Sequence, residues 1–185
     1  LNRLSEDLDF TLNGKLNADK FTKKIIGKLQ QAGIYGRIKE MSAYKNQQNI
    51  RLELRGPLFD GNPQNAGVIT INISMKEKPI YEAQTERIYP KYRDIPLFSI
   101  YVMPLEEMFA EKIRALFTRD KARDVYDIWF LLGKGVAPKL EDINKKLKLY
   151  NEKFTEKKLA EKIENKRKSW QMDLKGLIRG ELPDF

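Results

Sequence analysis

Residues 3–10 read R-L-S-E-D-L-D-F, and the second half of this stretch alternates between acidic and apolar side chains. Successive side chains of a β-strand point to opposite faces of the sheet. The alternation therefore predicts a strand with Asp7 and Asp9 on one face and Leu8 and Phe10 on a buried opposite face. Two neighbouring carboxylates repel one another unless a cation lies between them, so the pattern favours a cation site.

The composition of the chain narrows the chemistry of that site. The 185 residues include no cysteine and no histidine. This excludes thiolate nucleophiles, zinc–sulfur sites, imidazole bases and Ser-His-Asp catalysis. Carboxylate, lysine, arginine, tyrosine and hydroxyl groups remain, and carboxylate clusters prefer magnesium, manganese or calcium.

Hydrophobic periodicity predicts a strand-rich lobe followed by a helical lobe, with the junction near residue 103. The first lobe is predicted to contain an amphipathic helix with a Phe21, Ile25 and Leu29 stripe at 17–33, strands at 35–44, 50–55, 68–75 and 99–103, and a turn at 46–49. The second is predicted to contain helices at 105–119, 120–132, 140–150 and 155–170. In the helix at 120–132, we expect Val125, Ile128, Trp129 and Leu132 to face inward.

Lys112, Ala115 and Arg119 form a K-x-x-A-x-x-x-R pattern on the first helix of the second lobe. Seven residues are close to two helical turns, so both cations lie on one face, and the small Ala115 leaves room for a ligand. A triphosphate needs such a cationic surface. The alternative is a solvated face whose cations pair with carboxylates such as Glu107 and Glu111.

Asp124 and Asp127 form a D-x-x-D pattern near the start of the next helix, again on one face. One interpretation is structural, with the carboxylates in helix capping and ion pairs. The other is functional, with a base or hydrogen-bond acceptor facing a cleft.

The charge of the chain indicates the kind of partner. The formal net charge is +9, which favours polyanionic partners, above all nucleic acid, although a basic protein without such a partner fits as well. No apolar run approaches the length of a membrane span. We therefore expect a cytoplasmic protein with no membrane partner, a location that the absence of cysteine permits.

Three blocks carry a resemblance to a known family: R-L-S-E-D-L-D-F at 3–10, A-E-K-I-R-A-L at 110–116 and K-A-R-D-V-Y-D-I-W-F-L-L at 121–132. In their order and separation they resemble the AbiEii/AbiGii toxin family of nucleotidyltransferases. The resemblance implies an α+β fold: a nucleotidyltransferase-like mixed β-sheet core, residues 1–103, followed by a C-terminal helical lobe, residues 104–185. It places the active site between the two.

The resemblance also implies roles for individual residues. Asp7 and Asp9 would hold the metal, Mg²⁺ or Mn²⁺. Lys112 and Arg119 would face the nucleotide phosphates, and Ser5 in the first block would help to bind the nucleotide. The fourth motif, Asp124 and Asp127, would lie near the attacking group. Lys112, Asp124 and Asp127 would thus join Asp7 and Asp9 as catalytic residues.

The chain departs from the family pattern at two points. The family has a Gly-Gly or Gly-Ser turn before the aspartates, and the sequence begins after that point, so it is either a fragment or lacks the turn. The neighbouring strand often carries a third carboxylate in the family, and Asn72 occupies that position here. Glu53 on another strand is a possible substitute.

These observations predict a metal-dependent nucleotidyltransferase of the toxin type. It would transfer a nucleotide from a nucleoside triphosphate to an acceptor hydroxyl, with the end of an RNA such as tRNA as the expected acceptor. A first alternative is a member that binds nucleotide or RNA without turnover. A second is a module whose helical lobe mainly binds an antitoxin protein.

Overall fold

A computed structural model describes residues 3–5, 7–92, 95–178 and 180–185. The chain divides into two compact units. We call Ser5–Lys78 the sheet unit, and Leu1–Leu4 together with Pro79–Phe185 the helical unit. The predicted α+β class is confirmed, because a mixed sheet in the first unit is followed by a mainly helical unit.

The sheet unit is built around a mixed sheet with the strand order β1-β4-β3-β2. Its elements are β1 (Asp7–Thr11), α1 (Ala18–Gln31), β2 (Tyr35–Tyr44), β3 (Gln47–Arg55), a 3-10 turn (Pro63–Asn65) and β4 (Gly67–Ser74). β1 runs parallel to β4, while the other neighbours are antiparallel. The predicted turn at 46–49 is largely wrong: β3 begins at Gln47, because the chain already reverses at Lys45, whose φ is 48°.

Helix α1 packs on one face of the sheet. The core there consists of four buried side chains from the two central strands: Ile50, Leu52, Ile71 and Ile73. Phe21 and Ile25 of the predicted stripe pack against it. Asn17 caps the helix by accepting a hydrogen bond from the Lys20 amide at 2.9 Å. Burial of each aliphatic side chain stabilises the unit by about 1.5–3 kcal/mol.

The prediction that Leu8 and Phe10 are buried is wrong. In the β1–β4 register they lie beside Ile71 and Ile73, on the face that carries α1, yet they are 48% and 52% exposed. The reason is that β1 is an edge strand, whereas the core that α1 joins is formed by the central strands. The alternation therefore identified the strand and its faces but not the burial of the apolar face.

The helical unit begins with a hairpin and continues as helices. Its elements are β5 (Gln84–Ile88), β6 (Phe98–Val102), α2 (Leu105–Thr118), α3 (Ala122–Gly133), α4 (Leu140–Lys148), α5 (Glu156–Glu164) and α6 (Trp170–Leu174). β5 and β6 pair antiparallel, and β5 was not predicted from the sequence. The predicted helix at 155–170 is divided into α5 and α6 by turns. None of the helices within the described residues is long and apolar enough to cross a membrane.

The unit boundary lies at Lys78 and Pro79, whereas the sequence predicted it near residue 103. A buried carboxylate accounts for the difference. Glu107 of α2 is fully buried, and its two oxygens accept hydrogen bonds from the backbone amides of Ile80 and Tyr81 at 2.9 and 3.1 Å. The segment before the hairpin is thereby bound to the helices rather than to the sheet unit.

The buried face of α3 differs from the predicted one. Val125 and Ile128 are buried as expected, but Trp129 and Leu132 are 53% and 49% exposed. The buried stripe is shifted because it includes Asp124 and Asp127, both with no exposed surface, as well as core residues Tyr126 and Leu131. Their ion-pair partners, described below, explain how a helix can bury two carboxylates.

Candidate functional site

The sheet face opposite α1 is polar, and both aspartates of the first block lie on it. Asp7 is aligned with Thr70 of β4, and Asp9 with Asn72. Residues in register on neighbouring strands point to the same side of the sheet. β1 therefore places the two carboxylates next to a row of polar side chains, with Asp7 half-buried and Asp9 exposed.

Asn72 contacts the acidic pair directly. Its Nδ2 donates a hydrogen bond to Oδ1 of Asp9 at 3.0 Å. The prediction that Asn72 lies on the polar side beside the strand of Asp7 and Asp9 is thus confirmed. Ser5, which the resemblance places at the nucleotide, donates its hydroxyl to the backbone oxygen of Asp7 at 3.2 Å and so lies at the start of β1.

The oxygen atoms on this face can be compared with the ligands that a metal ion requires. Among the described residues, no group of three or more His, Cys, Asp or Glu side chains is arranged to hold an ion. Asp7, Asp9 and the Asn72 amide offer oxygen ligands, two of them anionic. Magnesium is commonly bound by one or two carboxylates while waters and substrate phosphates complete its octahedron. The two carboxylates fit such a partly open site.

Glu53 lies on the same sheet but is engaged elsewhere. It is aligned with Val68, two strands and two residues away from Asp7, a separation of about 12 Å between Cα atoms. Its carboxylate accepts hydrogen bonds from Arg37 at 2.7 and 2.9 Å and from Arg55 at 3.0 Å. The Arg37 hydrogen bonds foremost hold the pKa of Glu53 below its ordinary value. The structure does not bring Glu53 to the aspartates, and its oxygens already have cationic partners.

In the helical unit, Asp127 is the centre of a buried ion cluster. Arg3 binds both of its oxygens, with Nε–Oδ1 and Nη2–Oδ2 distances of 2.7 and 2.8 Å, and Lys112 lies 2.6 Å from Oδ2. Burial alone raises the pKa of Asp127, but the hydrogen bonds and charges of Arg3 and Lys112 outweigh it, so the pKa lies below its ordinary value. Asp127 is therefore ionised at neutral pH.

Asp124 has a similar partner. Arg119 binds it in a two-pronged pair, with Nε–Oδ2 and Nη2–Oδ1 distances of 2.8 and 2.7 Å. Ala115, expected to leave room for a ligand between Lys112 and Arg119, is only 4% exposed and belongs to the core of the unit. The K-x-x-A-x-x-x-R and D-x-x-D patterns thus meet as two cation–carboxylate pairs.

These pairs favour the structural interpretation of both helical motifs. Lys112 and Arg119 pair with carboxylates, as the structural alternative predicted, and these are Asp127 and Asp124. Asp127, which has a lowered pKa and no exposed surface, is a poor proton acceptor. No role for Arg3 was predicted from the sequence. The signal that could have indicated its ion pair was a cation at the start of the first block and two aspartates on one helix face in a later block.

Comparisons with known proteins identify the family and the fold of the chain. The family model described as nucleotidyl transferase AbiEii toxin, type IV toxin–antitoxin system, matches residues 1–185. Among solved structures, the fold is similar to MenT4, a nucleotidyltransferase toxin from Mycobacterium tuberculosis H37Rv, with a TM-score of 0.52 and 15% sequence identity. The similarity covers 79% of this chain and 48% of that one, so the chain spans about half the length of MenT4. No protein of curated function matches the sequence.

Proposed function

The chain belongs to the AbiEii family of nucleotidyl transferase toxins, and from that premise we propose that it transfers a nucleotide from a nucleoside triphosphate to an acceptor hydroxyl at Asp7 and Asp9. The observation that carries this proposal is the placement of both carboxylates on the polar face of the sheet, with Asn72 bound to Asp9. Neither aspartate has a cationic side-chain partner among the described residues, whereas Glu53 is bound by Arg37 and Arg55.

Asp7 and Asp9 would hold Mg²⁺ or Mn²⁺. The metal would offset the negative charge of the triphosphate and of the departing pyrophosphate. Asn72 would orient Asp9 through the hydrogen bond at 3.0 Å. Because an amide is neutral, it leaves the site with two negative charges rather than three, and metal binding therefore depends more on oxygens brought by the nucleotide.

The proposed reaction is an in-line displacement at the α-phosphorus. The acceptor oxygen bonds to that phosphorus while the bond to the bridging oxygen of the β-phosphate breaks, and pyrophosphate leaves. The acceptor's proton passes to water. We assign no base role to Asp124 or Asp127, because the carboxylates of both are engaged by Arg or Lys.

We propose an RNA end, such as that of tRNA, as the acceptor. The net charge of +9 supports a polyanionic partner, because lysine and arginine that neutralise phosphates release counterions. The matching family model describes a toxin of a type IV toxin–antitoxin system, so we further propose an antitoxin protein as a partner of this chain.

The test is incubation of the protein with each of the four α-labelled nucleoside triphosphates, total RNA and Mg²⁺. We expect one or more of the labels to enter RNA with the wild type and not with Asp7→Ala. Asp19→Asn serves as the matched control, since Asp19 is an exposed aspartate of the same unit on α1. Transfer by Asp7→Ala at the wild-type rate would exclude Asp7 from the site.

One observation favours a second candidate function, binding of nucleotide or RNA without transfer. Asn72 stands where a third carboxylate is expected, which lowers the charge available to a metal. In that case the protein would bind a labelled triphosphate in an Asp9-dependent manner, yet no label would enter RNA with any of the four nucleotides.

A further inference from the structure

Arg51 lies on the same face of the sheet as the acidic pair. It is aligned with Thr70 on one side, and Thr70 is aligned with Asp7 on the other. Asp7, Thr70 and Arg51 thus form one row across β1, β4 and β3. Asp9, Asn72 and Asn49 form the adjacent row. Arg51, Asn49, Thr70 and Asn72 also line one depression of about 220 Å³.

The Arg51 guanidinium has no ion pair or hydrogen bond within the part of the chain that the structure describes. Glu40, its register partner on β2, lies in the same depression but is not bound to it. The side chain is exposed. Arginine carries five donors in a planar fork and stays charged at any physiological pH, so an unengaged guanidinium is available to bind an anion.

Four other cations are already bound to carboxylates, two on the neighbouring positions of the sheet and two in the helical motifs. Arg37 and Arg55, also on β2 and β3, bind Glu53. Lys112 and Arg119 of the helical unit bind Asp127 and Asp124. Arg51 differs from these four because its charge has no such partner among the described residues and because it lies in the same row across the strands as Asp7.

We propose that Arg51 binds a phosphate of the nucleoside triphosphate whose metal is held by Asp7 and Asp9, an inference that rests on the proposed function. Two interstrand steps separate the Cα atoms of Asp7 and Arg51, about 10 Å. A triphosphate above Thr70 lies between the two side chains, with the metal at one end and the guanidinium at the other. Two parallel N–H···O bonds from the fork match a phosphate group.

The test is calorimetric titration of the full chain with each of the four nucleoside triphosphates in Mg²⁺, and with the matching monophosphate. Arg51→Ala should weaken triphosphate binding roughly 10- to 100-fold, the range for removal of a charged hydrogen-bonding group. It should change monophosphate binding far less. Arg51→Lys should recover part of the affinity, because it keeps the charge but not the fork.

The matched control is Lys24→Ala, which removes one exposed cation from α1 of the same unit. It should leave triphosphate affinity at the wild-type value. Both Arg51 variants and Lys24→Ala should melt at the wild-type temperature, because Arg51 and Lys24 are exposed. If Arg51→Ala binds triphosphate as the wild type does while Asp9→Asn does not, the inference fails and the proposed function stands. If Arg51→Ala binds triphosphate as the wild type does but binds total RNA more weakly in a filter-binding assay, Arg51 serves the acceptor and the inference also fails. If the wild type binds no triphosphate, both fail.

Discussion

Asn72 donates its side-chain amide to Oδ1 of Asp9 across a parallel strand pair, at 3.0 Å. The hydrogen bond joins two positions that lie 63 residues apart in the chain. It places a neutral donor where the family pattern led us to expect a third carboxylate. The polar face of the sheet therefore carries two negative charges at this point rather than three, and its affinity for a metal should depend on both aspartates.

Asp9→Asn should affect metal binding more than folding. Asp9 is exposed and lies beside Asp7 on the same strand, so removing one of two like charges relieves repulsion in metal-free buffer. We expect the melting temperature in chelator to stay equal or rise, with a change in unfolding free energy within about 0.5 kcal/mol. Any stabilisation by Mg²⁺ should disappear. A large loss of stability in chelator would identify Asp9 as a structural residue.

Asn72→Asp should tighten Mg²⁺ or Mn²⁺ binding in the absence of nucleotide. The new carboxylate adds an anionic ligand and replaces the donor that now binds Asp9, so the metal-free protein should lose about 1 kcal/mol of unfolding free energy. Calorimetric metal titration measures the affinity. Asn49→Asp is the matched control, since Asn49 lies one strand further from Asp9 on the same face. Equal effects of the two variants, or unchanged affinity in a folded Asn72→Asp protein, would remove Asn72 from the site.

Asp127→Ala should destabilise the helical unit strongly. The change leaves Arg3 and Lys112 without their buried carboxylate, and breaking such a pair costs about 3–5 kcal/mol. Urea unfolding measures the loss. Glu86→Ala, an exposed carboxylate on β5, should stay within about 0.5 kcal/mol of the wild type. A wild-type stability for Asp127→Ala would contradict the structural assignment of the D-x-x-D motif.

The stability of the folded protein should depend on pH through the same cluster, and the sign of the dependence follows from the lowered pKa of Asp127. Its folded pKa lies below the unfolded value of about 3.9, so the stabilisation is fully present above that value. It is lost as the pH falls through the folded pKa. The difference in unfolding free energy between the wild type and Asp127→Ala should thus be constant from pH 7 to 5 and shrink below about pH 4. A difference that grows on acidification would mean that the pKa is raised.

Lys157 and Lys162 on α5 should contribute to RNA binding but not to nucleotide binding. Lys157 is exposed and Lys162 half-buried, whereas Lys158 of the same helix pairs with Glu152. The double change to alanine should weaken RNA binding and lower the slope of log affinity against log salt by about 0.7 for each phosphate that is no longer neutralised. Filter binding at several salt concentrations measures both quantities. An unchanged slope would show that α5 does not contact RNA.

The local elements of the sheet unit could be predicted well from the sequence, for reasons that are local. The alternation of polar and apolar residues at Asp7–Thr11 and Gly67–Ser74 can be recognised from those few residues alone, and so can the apolar stripe of α1. The burial of Leu8 and Phe10 could not be predicted, because it depends on whether β1 is a central or an edge strand. That property is set by pairing between distant segments.

The side-chain partners in the helical motifs could not be predicted from the local sequence either. The i,i+3 spacing of Asp124 and Asp127 correctly places both on one helix face. Whether that face is buried depends on partners elsewhere in the chain, and Arg3 lies 124 residues before Asp127. A carboxylate in a catalytic motif and one in a buried ion pair have the same local sequence. Only the contacts of Arg3, Lys112 and Arg119 distinguish them.

The central claim is that Asp7 and Asp9 form the centre of a nucleotide-transfer reaction. The most direct measurement counts pyrophosphate released and label transferred to RNA in the same reaction, with Mg²⁺, for the wild type, Asp7→Ala and Asp19→Asn. We predict one pyrophosphate for each nucleotide transferred by the wild type and Asp19→Asn, and neither product above background with Asp7→Ala. Transfer that continues in a folded Asp7→Ala protein, or transfer by the wild type without pyrophosphate release, would contradict the claim.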